Sequence, residues 1–153
     1  MGGPLGAVGS IAARYWPGLL AHRREAEDMV RVEDVMRGGL RSVSAQCTVE
    51  ETVHRRRPPA PGTLFAVTDP SGRAIGVLDW DDVLAVPHLE RPARLVGQLA
   101  RPATVDRTST VEHVLARPAL MGARAAIVVD RARRPIGLLD LDAARARAAE
   151  RDD

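Results

Sequence analysis

The stretch that decides the fold is residues 74–83, which read AIGVLDWDDV, an apolar run followed at once by acidic residues. Nearly the same pattern returns at residues 135–142, which read PIGLLDLD. A short apolar run of this kind predicts a buried β-strand, and an Asp directly after it can cap the N-terminus of a helix. The chain therefore contains two strand–helix junctions of one kind.

The similarity extends upstream of both junctions. The sequence LFAVTD at 64–69 corresponds to AAIVVD at 125–130, and TVE at 48–50 corresponds to TVE at 110–112. Gly137 follows Gly76 by 61 positions (137 − 76). A nearly constant offset through several elements indicates a duplicated unit of about 60 residues. Two such units fill most of the 153-residue chain.

Each unit is predicted to run β-α-β-β-α, so the fold class is α/β, in the looser sense α+β. Strands at 64–68 and 74–78 should form an antiparallel hairpin. A capping box at Thr48 should start the first long helix, and Ser109 should start the second. We expect five parts: an N-terminal extension (1–31), repeat 1 (32–86), a linker (87–94), repeat 2 (95–150) and a tail (151–153).

The N-terminal extension is predicted to be helical from about residue 10. The helical pattern is interrupted at Trp16-Pro17 and resumes with apolar residues at three- and four-residue spacing up to Val30. Trp16 and Tyr15 indicate an apolar face that docks on the repeats or on a partner.

Composition excludes several functions. All 22 basic residues are Arg, interleaved with 20 acidic residues, and aromatic residues make up only 3% of the chain, so we expect no nucleic-acid partner. Cys47 is the single cysteine, and the four histidines form no HExxH pattern, so no disulfide and no zinc site is expected. The longest uncharged run is shorter than the roughly 20 residues of a membrane span. We expect no span and a cytoplasmic location.

The order of elements, with VEDVM at 32–36 and GVLDWDD at 76–82, resembles a pair of cystathionine-β-synthase-type (CBS) domains, or Bateman module, over residues 32–150. The resemblance implies two units packed through their sheets about a pseudo-twofold axis, commonly forming homodimers. It further implies a non-catalytic module that senses an adenosine-type ligand between the repeats and regulates an enzyme, transporter or channel. AMP, ADP, ATP and S-adenosylmethionine are the candidate ligands, and the sequence does not choose among them.

The closing motif of this family is Gly-h-h-Thr/Ser-x-x-Asp, where h is apolar, the hydroxyl helps to hold a phosphate and the last Asp binds the ribose. Asp82 fits the ribose position. Asp79 and Asp140 stand in place of the hydroxyl, and Ala143 replaces the second ribose Asp. The other candidate ligand-binding residues are the strand residues Val43, Ala66, Val105 and Ile127.

Asp79 and Asp140 have a simpler interpretation as helix caps. A capping carboxylate already accepts free backbone N–H groups, and it repels a phosphate by about 1 kcal/mol in water and more in a cleft. The alternative is a site for a ligand without phosphate there, or for a metal-bridged phosphate. Two roles remain open for Asp82: it binds the ribose of a ligand, or it is a solvated helix residue.

Two other functions remain open. Residues 82–91, DVLAVPHLER, resemble the CBS tails of site-2-type membrane zinc metalloproteases. This resemblance implies an accessory cytosolic region whose degenerate ligand site acts only in dimerisation or docking to the membrane protease. The third hypothesis is a small enzyme that uses Asp79, Asp81 and Asp82 to hold Mg²⁺.

Overall fold

The computed structural model describes residues 29–152. The predicted helices of the N-terminal extension lie outside this range. The first repeat contains α1 (Val32–Val35), β1 (Ser42–Ser44), α2 (Val49–Arg55), β2 (Leu64–Thr68), β3 (Ala74–Asp79) and α3 (Trp80–Leu84). The second contains β4 (Thr104–Asp106), α4 (Val111–Leu115), β5 (Ala125–Val129), β6 (Pro135–Asp140) and α5 (Leu141–Asp152). Short 3₁₀ turns occupy His88–Glu90, Val96–Gln98 and Pro118–Leu120.

The two repeats have the same sheet. Strand orders are β1-β2-β3 and β4-β5-β6, each with a parallel first pair and an antiparallel second pair. Even the register is shared, since Val67 faces Gly76 and Val128 faces Gly137. The predicted β-α-β-β-α order and the antiparallel hairpin are therefore confirmed.

The core joins the repeats. One apolar cluster contains Ala66 and Val77 of the first sheet together with Ala126 and Leu139 of the second. A smaller cluster, which includes Phe65 and the buried ring of Trp80, consists of first-repeat residues together with Val96 of the 3₁₀ turn Val96–Gln98. Strand β3 packs against β4 and β5, so the two sheets share one interface.

Each repeat is completed by the segment that begins the other one. We call residues 31–37 and 95–101 the lead-in segments. In the first, the backbone of Arg37 exchanges hydrogen bonds of 2.8 and 2.9 Å with Leu138 on β6. In the second, Arg101 exchanges two bonds of 2.9 Å with Val77 on β3. Each lead-in segment thus crosses to the sheet of the other repeat, and we call this arrangement the crossing. It is reciprocal, as a pseudo-twofold axis requires.

The crossing explains the repeated glycines. A Cβ on Gly76 would collide with the backbone carbonyl of Arg101. On Gly137 it would lie 2.7 Å from the Sδ of Met36 and 2.8 Å from the carbonyl oxygen of Arg37. Only glycine allows the lead-in backbone to approach β3 and β6 this closely.

One predicted cap is confirmed and one is wrong. Thr48 Oγ1 accepts the Glu51 N–H at 3.0 Å, and Glu51 Oε1 accepts the Thr48 N–H at 3.1 Å, which completes the capping box. The second helix starts at Thr110, whose hydroxyl accepts the His113 N–H at 3.1 Å, and not at Ser109. Ser109 instead uses its carbonyl to accept the Val32 N–H of the first lead-in, at 2.9 Å.

We predict that Gly76→Ala lowers the free energy of unfolding by roughly 1–3 kcal/mol, the usual cost of overpacking, because a backbone carbonyl cannot move aside as a side chain can. Urea unfolding measures the change. Gly38→Ala is the matched control, since a Cβ there meets nothing within 4 Å. Equal stability of the two variants would contradict the close crossing.

Candidate ligand-binding clefts

The first candidate site lies at the end of β3, where the second lead-in passes the closing motif of repeat 1. Asp79 is the N-cap of α3, and its Oδ1 accepts the Asp81 N–H at 2.9 Å. Asp82, on the first turn of α3, places Oδ2 3.5 Å from Nη2 of Arg101. The exposed fractions of the Asp82 and Arg101 side chains are 38% and 67%, so both are open to solvent.

The equivalent place in repeat 2 has a different acid. Arg37 corresponds to Arg101 in the other lead-in, and its Nη2 lies 3.1 Å from Oδ2 of Asp140. Asp140 Oδ1 also accepts the Ala143 N–H at 2.9 Å, so this carboxylate caps α5. Because Ala143 has no carboxylate, the arginine of this lead-in pairs with the cap itself.

Exposed ion pairs of this kind contribute little to stability, about 0–1 kcal/mol. Arg101 and Asp82 can therefore exchange their mutual contact for contacts with a ligand at small cost. A carboxylate accepts hydroxyl donors, and a guanidinium donates to phosphate or carboxylate oxygens. The pair offers both chemistries at one point between the repeats.

A cavity of about 500 Å³ opens between α4, α5 and the first lead-in, and we call it the α4–α5 groove. This volume is within the range of small-molecule pockets. Its walls combine aliphatic side chains with five charged ones, Arg37, Glu112, Asp140, Arg147 and Arg151. Its lining includes Val30, Val35, Val111, Leu115, Ala144 and Ala148.

A second cavity of about 320 Å³ lies beside β1 and α2. Arg56 reaches across it to donate to the Ser42 carbonyl at 2.9 Å and lies 5.1 Å from the centroid of the Phe65 ring. Glu51 also borders this cavity, and hydrogen bonds from the backbone and then the hydroxyl of Thr48 hold its pKa below the ordinary value.

The predicted site residues are not gathered at one place. Asp140 borders the α4–α5 groove and Val43 borders the second cavity, while Asp79 and Asp82 lie at the β3–α3 junction. The remaining three belong to the buried core shared by both sheets and line neither cavity: Ala66, Val105 and Ile127.

Sequence reasoning missed the two arginines, Arg37 and Arg101. A signal for them exists, because V32-x-x-V35-M36-R37 aligns with V96-x-x-L99-A100-R101 at an offset of 64 positions. Their importance follows from the crossing, which brings each one to the acid of the opposite repeat.

The proposed magnesium ligands face different partners. Asp79 accepts the Asp81 N–H, Asp81 Oδ1 accepts the Gly62 N–H at 3.1 Å, and Asp82 faces Arg101. Within residues 29–152, no three carboxylate, histidine or cysteine side chains come together as a metal site would need. In the same range no helix has the length and apolar character to cross a membrane.

Solved structures of CBS domain pairs share this architecture. The CBS domain of the bacterial CNNM/CorC family Mg²⁺ transporter is 20% identical, with 82% of this chain and 79% of that chain covered and a TM-score of 0.63. The structure of that domain in complex with ATP is 20% identical, with 82% and 92% covered and a TM-score of 0.59. CBSX2 in complex with AMP is 22% identical, with 81% and 99% covered and a TM-score of 0.54.

The chain therefore has the fold of a tandem CBS domain pair, as the repeated motifs predicted. No protein-family model and no curated protein sequence matches the chain. At these identities the structural likeness establishes the fold alone.

We predict that Asp79→Ala lowers the free energy of unfolding by about 1 kcal/mol, because it leaves the Asp81 N–H without its side-chain acceptor. Asp79→Ser should leave stability nearly unchanged, since a serine hydroxyl caps a helix as well as a carboxylate does. Thermal or urea unfolding of both variants tests the capping role. Equal losses for Ala and Ser would contradict it.

Proposed function

We propose that this chain is a non-catalytic regulatory module that binds an adenosine nucleotide between its repeats, at Asp82 and Arg101. Occupancy of this cleft would alter how the two repeats pack, and a partner protein would respond to that change. ATP and AMP, bound by the related CBS pairs described above, are the first candidates.

The observation that carries the proposal is the 3.5 Å approach of Arg101, from the second lead-in, to Asp82 on α3. A nucleotide with its ribose hydroxyls on Asp82 and its phosphate on Arg101 would contact both repeats at once. Its binding free energy would then depend on their relative position, which is the condition for a ligand to shift a packing equilibrium.

Arg101 also offers a phosphate a cation away from the Asp79 carboxylate, which would repel it. A phosphate placed at the start of α3 would meet the Asp79 carboxylate, whose Oδ1 already accepts the Asp81 N–H. The guanidinium of Arg101 gives the phosphate a cation that comes from the lead-in and not from the helix end. We therefore propose that the phosphate lies on the lead-in side of the cleft.

We further propose a cytoplasmic module whose partner is a membrane transporter, a membrane protease or an enzyme. The bacterial CNNM/CorC structure comes from a Mg²⁺ transporter family, which favours the first of these. The resemblance of residues 82–91 to the tails of zinc metalloproteases stays a prediction.

Isothermal titration calorimetry of the full chain tests the ligand. We predict that Asp82→Asn lowers the binding affinity for ATP, AMP and adenosine by roughly tenfold to a hundredfold. This is the contribution expected of hydrogen bonds to a charged group. Arg101→Gln should lower the affinity for ATP and AMP but leave the affinity for adenosine unchanged. Asp142→Asn is the matched control, because Asp142 pairs with Arg124 and Arg145 and lies away from the cleft.

Two results would contradict the proposal. One is the absence of any binding heat for AMP, ADP, ATP and S-adenosylmethionine at millimolar concentration. The other is binding that Asp82→Asn and Asp142→Asn affect equally, because the ligand would then lie elsewhere.

A second candidate function is docking or homodimerisation without a ligand. Two large apolar side chains near the 3₁₀ turn His88–Glu90 are exposed to solvent, Leu84 at 50% and Leu89 at 96%. We propose that these two side chains form one apolar patch that a second protein surface covers.

We predict that the chain sediments as a dimer and that Leu84→Ser combined with Leu89→Ser shifts it to monomer. Met121→Ser is the control, because Met121 is also exposed, at 76%, but belongs to the other repeat. A wild-type monomer, or a double variant that remains dimeric, would contradict this role for the surface.

A further inference from the structure

Two hairpin turns lie side by side at one end of the module: residues 69–73, between β2 and β3, and residues 130–134, between β5 and β6. The Ala74 N–H donates to the Arg133 carbonyl oxygen at 2.8 Å, which attaches the second turn to the strand that leaves the first. The position equivalent to Ala74 in repeat 2 is Pro135, which has no N–H, so this link has no symmetric counterpart. The hairpin turns of both repeats therefore share one surface.

This surface is rich in arginine. The two turns carry four arginines, which we call the turn arginines, and all of them are exposed to solvent: Arg73, Arg131, Arg133 and Arg134. Within residues 29–152 none of their guanidinium groups forms an ion pair. Positive side chains gathered on adjacent turns repel one another, so an anionic partner would lower the free energy of this arrangement.

The acidic residues of the same region are engaged within their own turns. Asp69 Oδ1 accepts three hydrogen bonds of 2.7–3.0 Å, and Asp130 Oδ1 accepts two of 2.9 Å. Asp106, at the end of the neighbouring β4, likewise accepts two hydrogen bonds from Thr108. Asp69 and Asp130 are only partly exposed. The two turns thus have a net charge of +2 (4 Arg − 2 Asp), and their positive groups are the more exposed ones.

Arg133 has a backbone conformation that is unfavourable for a residue with a side chain. Its φ is +64°, and within residues 29–152 no other non-glycine residue has a positive φ. The equivalent residue of the first turn, 61 positions earlier (133 − 72), is Gly72 at φ +87°. Glycine adopts such angles freely, so the second turn carries an arginine where glycine would fold more easily. This favours a role for the Arg133 side chain outside the fold itself.

We propose that the two hairpin turns dock against the anionic headgroups of a membrane. The turn arginines line neither of the two cavities described above, so a small free anion would not be enclosed there. The turns contain no aromatic or large aliphatic side chain of the kind that stacks on nucleobases or forms the centre of a protein interface. A plane of negative headgroups attracts exposed positive charge without either of these features.

The docking surface is separate from the proposed nucleotide site. Strand β3 has six residues and spans about 17 Å, with the first hairpin turn at its start and Asp79 at its end. A module held to a membrane by its turns would therefore keep the Asp82–Arg101 site away from the headgroups. Membrane docking does not depend on nucleotide binding, so either can fail alone.

Co-sedimentation of the full chain with lipid vesicles tests this proposal. We expect binding to vesicles that contain phosphatidylglycerol and phosphatidylcholine, but not to vesicles of phosphatidylcholine alone. Binding should be lost in about 1 M salt, where the electrostatic screening length falls to about 3 Å. Arg133→Gly combined with Arg134→Gln should lower the partition coefficient by roughly tenfold to thirtyfold, because each arginine near the headgroups contributes about fivefold.

Arg41→Gln combined with Arg57→Gln is the matched control. It removes the same charge from exposed residues that precede β1 and β2 and lie outside the hairpin turns, so its partition coefficient should stay close to that of the wild type. Because glycine accepts a positive φ, Arg133→Gly should keep or raise the thermal midpoint, and a loss of binding would then not reflect unfolding.

Four results would overturn the proposal. The first is that the wild type does not bind the anionic vesicles, and the second is that the Arg133→Gly, Arg134→Gln variant binds them as the wild type does. The third is an equal loss in both double variants, because the total charge and not the turns would then be the cause. The fourth is tighter binding to a short DNA duplex, lost in the same variant, which would assign the turns to nucleic acid.

Discussion

The structure depends on the reciprocal crossing of its two lead-in segments. Four backbone hydrogen bonds, which join Arg37 to Leu138 and Arg101 to Val77, attach the start of each repeat to the last strand of the other. Gly76 and Gly137 make the approach possible, because any side chain there would meet the crossing backbone. Neither repeat can therefore complete its own sheet edge without the other.

The crossing also creates the chemistry of the clefts. It carries Arg101 to Asp82 and Arg37 to Asp140, so each junction receives a cation from the opposite repeat. A single residue difference between the repeats then makes the two junctions unequal. Asp82 provides a carboxylate on helix α3, whereas Ala143 provides none on α5, so the second junction has only the capping Asp140 beside the α4–α5 groove.

Local features of the fold could be predicted from the sequence. The apolar runs gave the strands, the Thr48 box gave the start of α2, and Asp79 gave the cap of α3, because each depends on neighbours within a few residues. The start of α4 was misassigned to Ser109, although the offset of 62 positions from Thr48 already points to Thr110.

Non-local features could not be predicted in this way. The duplication shows a glycine at the same place in both units, Gly76 and Gly137. The reason that Gly76 must be a glycine is the carbonyl of Arg101, which is 25 positions away (101 − 76). The roles of Arg37 and Arg101 and the position of the α4–α5 groove follow from the same crossing. No periodicity or propensity within one repeat contains that information.

Amide hydrogen exchange at Arg37, Val77, Arg101 and Leu138 tests the crossing most directly. If the lead-in segments hold the repeats together, these four amides exchange as slowly as the Ile127 amide in the core strand β5, through global unfolding. Fast exchange at the four positions, while the Ile127 amide remains protected, would contradict the account.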